Sequence, residues 1–231
     1  MIYQYPVRTQ VDKSIPKSKF YSEGGANTRV ERLFIEQIES IYWANKLSSA
    51  TMNIESQEDL REVQIFSVNA RVEMLDIEIF RYIDKLIPSP IIFEVYFQDK
   101  VKVIAAYKRL NQADNSKVVI GDYFQTEWLP IERQNLPLFL RLNELYEFLI
   151  SQLLPNQTNA SSLADKMRLN QEIAQLEMRI KQLEQQLKRE KQFNRKAELN
   201  INLLKLRDEY TQLTSPSKDN LCQILKCIPP I

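Results

Sequence analysis

Two apolar stripes that share a stretch of chain but not a register constrain this sequence more than any other feature. Leu169, Ile173, Leu176, Ile180, Leu183 and Leu187 alternate intervals of four and three, the spacing of a coiled-coil seam. The next positions in that register, Glu190, Asn194 and Ala197, carry no large apolar side chain. A second stripe follows at Leu199, Leu203, Leu206, Tyr210 and Leu213, displaced by two residues. Two residues are roughly 200° around an α-helix, so one continuous helix would turn its two seams to nearly opposite sides. A reversal near 191–195 lets the stripes pack on each other instead. The spacing therefore predicts an antiparallel hairpin of helices over 163–190 and 195–213. Asn194, which tolerates left-handed backbone, is the expected turn residue. The turn contains no Gly or Pro, and a continuous rod is the alternative.

Upstream of a polar linker, "PNQTNASS" at 155–162, the periodicity changes character. Residues 1–25 read as an extended basic segment. Asn27 or Thr28 caps a helix over 29–47, whose apolar positions run Val30, Leu33, Phe34, Ile38, Ile41 and Tyr42. "EVQIFSVNARV" (62–72) is strand-like, and "DIEIFRYIDKLIP" is a helix capped by Asp76 and stopped by Pro88 and Pro90. Strands at 91–97, 100–108 and 117–129, joined by "QDK" and "NQADNSK", predict an antiparallel meander. A last amphipathic helix covers 136–154. The expected fold is α+β: a domain over 1–154 with a mainly antiparallel sheet of about four strands and three helices, the helices on one face. The linker, the coiled-coil hairpin over 163–214 and a short C-terminal helix and tail over 215–231 follow it.

Composition excludes more chemistry than it suggests. The 231 residues contain no histidine, which removes Ser-His-Asp and Cys-His hydrolases and histidine-ligated metals. Three glycines cannot write a GxGxxG or a P-loop. Cys222 and Cys227 form no disulfide framework, and reduced, partly buried thiols are expected. No catalytic, metal or cofactor site is assigned. The net charge of +1 gives no global reason to bind nucleic acid or membrane, so such a role needs a local patch. No apolar run reaches membrane-span length and the N-terminus lacks a signal-peptide core, so the chain is expected in the cytoplasm.

Two local patches exist. The hairpin tip "KREKQFNRK" sets Lys188, Arg189, Lys191, Arg195 and Lys196 against Glu190, with Phe193 among them. Such a tip suits a phosphate backbone or an acidic partner; the plainer account is a solvated turn with Phe193 plugging the hairpin end. Arg8, Lys13, Lys17 and Lys19 lead into "SEGGANT", where two glycines precede a helix start that offers amides to an anion or is simply a cap. Among the strand residues Glu94, Asp99, Asp122 and Glu127, with Lys102 and Lys108, no acid-x-lysine motif supports a restriction-type metal-dependent nuclease. Surface charge is the expected role of these groups. Trp43 and Trp128 sit among apolar neighbours and are expected in the core.

The segments "IPKSKFY", "RLFIEQIESIYWANKL", "PIIFEVYF", "AAYKRL", "YFQTEWL" and above all "EKQFNRKAELN" resemble a bacterial domain family of unknown function. Its members are encoded beside helicases and DNA methyltransferases in restriction or phage-defence islands. The resemblance runs from about 5 to 213 and brings no catalytic residue with it. It implies context and not mechanism; together with the helical arm and the missing catalytic constellations, it leads to the expectation of an accessory, non-enzymatic subunit whose helical arm binds a helicase or DNA methyltransferase of the same locus. A nucleic-acid-binding module using 8–19 and 188–196, and a divergent metal-dependent nuclease, are the alternatives. DNA, and a second copy of the chain paired through the hairpin faces, are further candidate partners.

Overall fold

The computed structural model describes residues 2–110, 118–158 and 160–214. Two compact units divide the chain, Met1–Leu153 and Leu154–Ile231. The first contains β1 (Ile2–Gln4), β2 (Gln10–Ile15), a π-helical turn (Lys19–Glu23), α1 (Thr28–Gln37), β3 (Ile38–Ser48) and α2 (Ser49–Met52). It continues with β4 (Glu62–Ala70), α3 (Ile77–Leu86), β5 (Ile91–Phe97), β6 (Lys100–Leu110) and β7 (Val118–Gln125). Then come β8 (Leu129–Pro130), β9 (Arg133–Asn135) and α4 (Leu142–Ser151). The second unit carries α5 (Leu163–Arg189) and α6 (Phe193–Thr214), which pack together as a hairpin. No helix among the described residues is long and apolar enough to cross a membrane. The expected C-terminal helix, Cys222, Cys227 and the turn 111–117 lie outside the described residues.

The sheet is larger than the sequence pattern predicts. Seven strands replace about four, in the order β2-β3-β4-β5-β6-β7, with β8 also on β6. Pairing is antiparallel except between β4 and β5, which α3 connects. The expected meander is present as β5, β6 and β7. One additional strand, β2, comes from the segment expected to be merely extended. Another, β3, comes from the helix expected over 29–47, which stops at Gln37.

The error at β3 has a physical cause. In a strand, residues three apart face opposite sides unless a bulge intervenes. The β3–β4 register shifts between Ile38 and Ser40, so Ile38 and Ile41 are both buried in the same core cluster. The interval imitates a helical repeat. Two cations hold the helix-to-strand junction by its carbonyls. Lys17 Nζ donates to Ile38 O at 2.7 Å and Phe34 O at 3.4 Å, and Arg71 Nε donates to Ile38 O at 3.1 Å.

Helices cover both faces of the sheet, which corrects the expectation of one. Neighbouring residues of β6 demonstrate this: Lys108 reaches Asp84 on α3, while Tyr107 stacks on Tyr146 of α4 at 5.5 Å. The α1/α3 face holds Phe34, Ile41, Phe66, Ile79, Phe80, Phe93 and Ile104, with Trp43 and Trp128 packed against it. Helix α4 starts six residues later than expected, because 136–141 run extended beside Glu55. There Glu55 N donates to Leu140 O, and Leu142 N to Glu55 O.

Candidate functional site

The hairpin is built from its caps inward. Ser162 Oγ accepts from Asp165 N at 3.1 Å to start α5. The buried Asn170 ties the preceding linker down: its amide accepts from Asn156 N at 2.8 Å and donates to Asn156 O at 2.9 Å. Ile173 and Leu176 are buried, Leu203 likewise, and Leu183, Leu187, Leu199, Leu206 and Tyr210 are half-buried. The stripes therefore use each other as partners. Arg207 pairs with Glu184 at 2.7 Å, and Tyr210 donates to Glu177 at 3.0 Å across the same seam.

The reversal needs neither glycine nor left-handed backbone. Glu190 leaves α5 in an extended conformation, at φ −69° and ψ 134°. Its carboxylate turns back and accepts from Lys191 N at 2.8 Å and Gln192 N at 2.9 Å. Those two hydrogen bonds hold its pKa below the ordinary carboxylate value, with Arg195 and Lys196 adding to them. Asn194, the expected turn residue, lies inside α6 with no positive φ.

This turn chemistry shapes the tip. Lys188, Arg189, Lys191, Arg195 and Lys196 lie within nine residues, all exposed. None of the five forms an ion pair among the described residues. The one carboxylate among them is already engaged by the backbone. Phe193 does not plug the hairpin end: it is 84% exposed at the first residue of α6. The side chains brought together are thus five free cations and a bare aromatic ring.

The N-terminal candidates are spread along the first unit. Arg8 lies in the middle of a 3-10 turn, Lys13 on β2 pairs in register with Trp43 of β3, and Lys19 lies in the π-helical turn, all three exposed. Lys17 is committed to the end of α1, and burial lowers its pKa, with Arg71 adding to the effect. The glycine pair beside them has a packing role. A Cβ on Gly24 would meet Phe20 O at 2.3 Å and Tyr82 Oη at 2.8 Å, and Gly25 sits at φ 68°. Asn27 caps α1 by accepting from Val30 N at 2.9 Å.

Of the strand charges expected at the surface, Asp99, Asp122 and Glu127 are exposed, whereas Glu94 and Lys108 are buried in two charge clusters. Glu94 is 1% exposed and takes a two-pronged contact from Arg133, at 2.6 and 3.2 Å, plus the hydroxyl of Tyr96 at 2.7 Å. Lys108 is 2% exposed; its ammonium lies 2.7 Å from Asp84 Oδ1 and donates to the carbonyls of Asp84, Ile87 and Ser89. Tyr123 completes that cluster through its hydroxyl on Asp84. Burial raises the Asp84 pKa and lowers that of Lys108, each against the pull of the other. A lone charge inside an apolar strand, as in "IIFEVYF", is the sequence signal for such pairs. Both clusters join elements; the Lys108–Asp84 pair is closed to solvent, whereas Arg133 covers the buried Glu94 from a side chain that is 39% exposed. No group of three or more carboxylate or thiol side chains suited to a metal ion is gathered among the described residues.

The chain belongs to a family named for a domain of unknown function, DUF4391, whose sequence profile matches residues 4–209 and so includes the hairpin tip. No curated protein and no solved structure matches it.

Proposed function

Starting from that family membership, we propose that the protein is a non-enzymatic accessory subunit of a prokaryotic phage-defence or DNA restriction–modification system. Its helical hairpin is the arm that binds a helicase or DNA methyltransferase encoded at the same locus, in the cytoplasm. The observation that carries this reading is the tip, where five unpaired cations and an 84% exposed phenylalanine end a two-helix arm. Exposed aromatics flanked by arginine and lysine are residue types that anchor interfaces. The non-enzymatic half rests on the use of Glu94, Asp84 and Lys108 as buried structural pairs. A metal-dependent nuclease would need such groups open to water and substrate.

Co-expression of the full chain with its neighbouring helicase and methyltransferase tests this, with affinity capture after nuclease digestion and sedimentation of the product. The expected result is a stable complex that is lost on removal of 163–214. Absence of a complex with either protein, with or without the arm, rejects the reading.

A second reading is favoured by the same unpaired cations, which leave the tip free to contact a polyanion directly. Of the segment 8–19, Lys17 is unavailable to it, while Arg8, Lys13 and Lys19 remain exposed.

A further inference from the structure

We infer that the hairpin tip binds unpaired nucleic acid, with Phe193 stacking on a base and the surrounding cations holding the flanking phosphates. This deepens the second reading above and rests on the hairpin being a binding arm. Three observations meet at the site. First, Lys188, Arg189 and Lys191 precede Phe193 and Arg195 and Lys196 follow it, so the ring is bracketed by positive charge on both chain sides. Second, the only carboxylate in the tip accepts from the amides of Lys191 and Gln192 and forms no ion pair with the five cations, which outnumber it. Third, Phe193 contacts no aromatic neighbour among the described residues and contributes nothing to the seam. An aromatic ring costs free energy in water, and here it does no packing in return.

Alternation of phosphate and base is the chemistry this arrangement fits. A phosphodiester strand presents a charge and a flat π-face at each repeat, and base–aromatic stacking is tolerant of sequence. An intact duplex offers no such face, because exposing a base costs unstacking and unpairing. The geometry therefore selects single strands, loops or frayed ends over paired DNA. An acidic peptide would use the cations and leave the ring with nothing flat to cover.

The test uses the full chain without any partner protein, titrated against a fluorescent oligothymidine of about 20 nucleotides and a duplex of equal length over a range of salt. The single strand should bind more tightly than the duplex. Phe193→Leu should weaken single-strand binding roughly tenfold or more, the worth of one stacked base, with the salt slope unchanged. Phe193→Trp should retain it. Glutamine at all five tip cations should flatten the slope by up to about 3.5, at roughly 0.7 per phosphate neutralised on a single strand. Equal affinity of wild type and Phe193→Leu, or a preference for duplex, overturns the proposal. So does binding of an acidic peptide in place of the oligonucleotide. Because the partner capture is performed after nuclease digestion, loss of that complex and loss of oligonucleotide binding are read separately.

Discussion

A lysine ammonium carries three protons, and Lys108 places them among the Asp84 carboxylate and three carbonyls at the end of α3. The group thus acts as a buried C-terminal cap for a helix whose last carbonyls point toward β6. Removing one member of a buried ion pair leaves the other desolvated and uncompensated, at a cost of about 3–5 kcal/mol. Lys108→Met should lose stability of that order in urea unfolding. Asp84→Asn, which keeps acceptors for the ammonium, should cost less. The double variant Lys108→Met with Asp84→Leu should recover part of the loss, because no buried charge then remains, although the carbonyls stay orphaned. If Lys108→Met were neutral, the ammonium would not be holding the helix end.

At the scale of elements, the hairpin turn is the most economical device in the chain. Glu190 supplies both the extended residue that ends α5 and the acceptor for the first two amides beyond it. Its folded-state pKa is lowered by those hydrogen bonds, so its contribution is present above the ordinary carboxylate pKa and is lost as pH falls through the lowered value. Amide protection at Lys191 and Gln192, measured against the intrinsic exchange rate at each pH, should therefore fall on acidification, and in Glu190→Ala, which has no side-chain acceptor, it should be low at every pH. Equal protection in variant and wild type would remove Glu190 from the turn. The same stretch shows what a sequence reveals and hides. Counting the leucine registers found the reversal, since a two-residue displacement is visible in one dimension. The turn residue was misassigned because a carboxylate can replace left-handed backbone, and no propensity rule encodes that choice. At 38–48 a bulge makes a strand imitate helical spacing; with β2 inside the segment expected to be merely extended and β8 starting within the strand expected over 117–129, a sheet of seven strands reads as about four. The tip residues were legible as a cluster. That Phe193 is bare and the five cations unpaired required the three-dimensional arrangement.

At the scale of the molecule, charge is nearly balanced in number and unbalanced in place. Of 31 lysines and arginines, five stand within nine residues of the tip, which holds one of the 30 acids, so the remainder of the chain is slightly negative. A polyanion should then be repelled weakly by most of the surface and attracted at the hairpin tip, within a Debye length of roughly 10 Å at 0.1 M salt. Two variants of equal total charge separate position from number. Glutamine at Lys188, Arg189, Lys191, Arg195 and Lys196 takes the net charge from +1 to −4. Glutamine at Arg8, Lys13, Lys19, Arg61 and Lys100, all exposed and in the first unit, makes the same change elsewhere. On a heparin column the tip variant should elute without retention, whereas the dispersed variant should keep most of the wild-type retention. Equal losses would mean that the chain meets polyanions through its overall charge, and the tip would lose its standing as a distinct site. A greater loss in the dispersed variant would move the contact to the first unit.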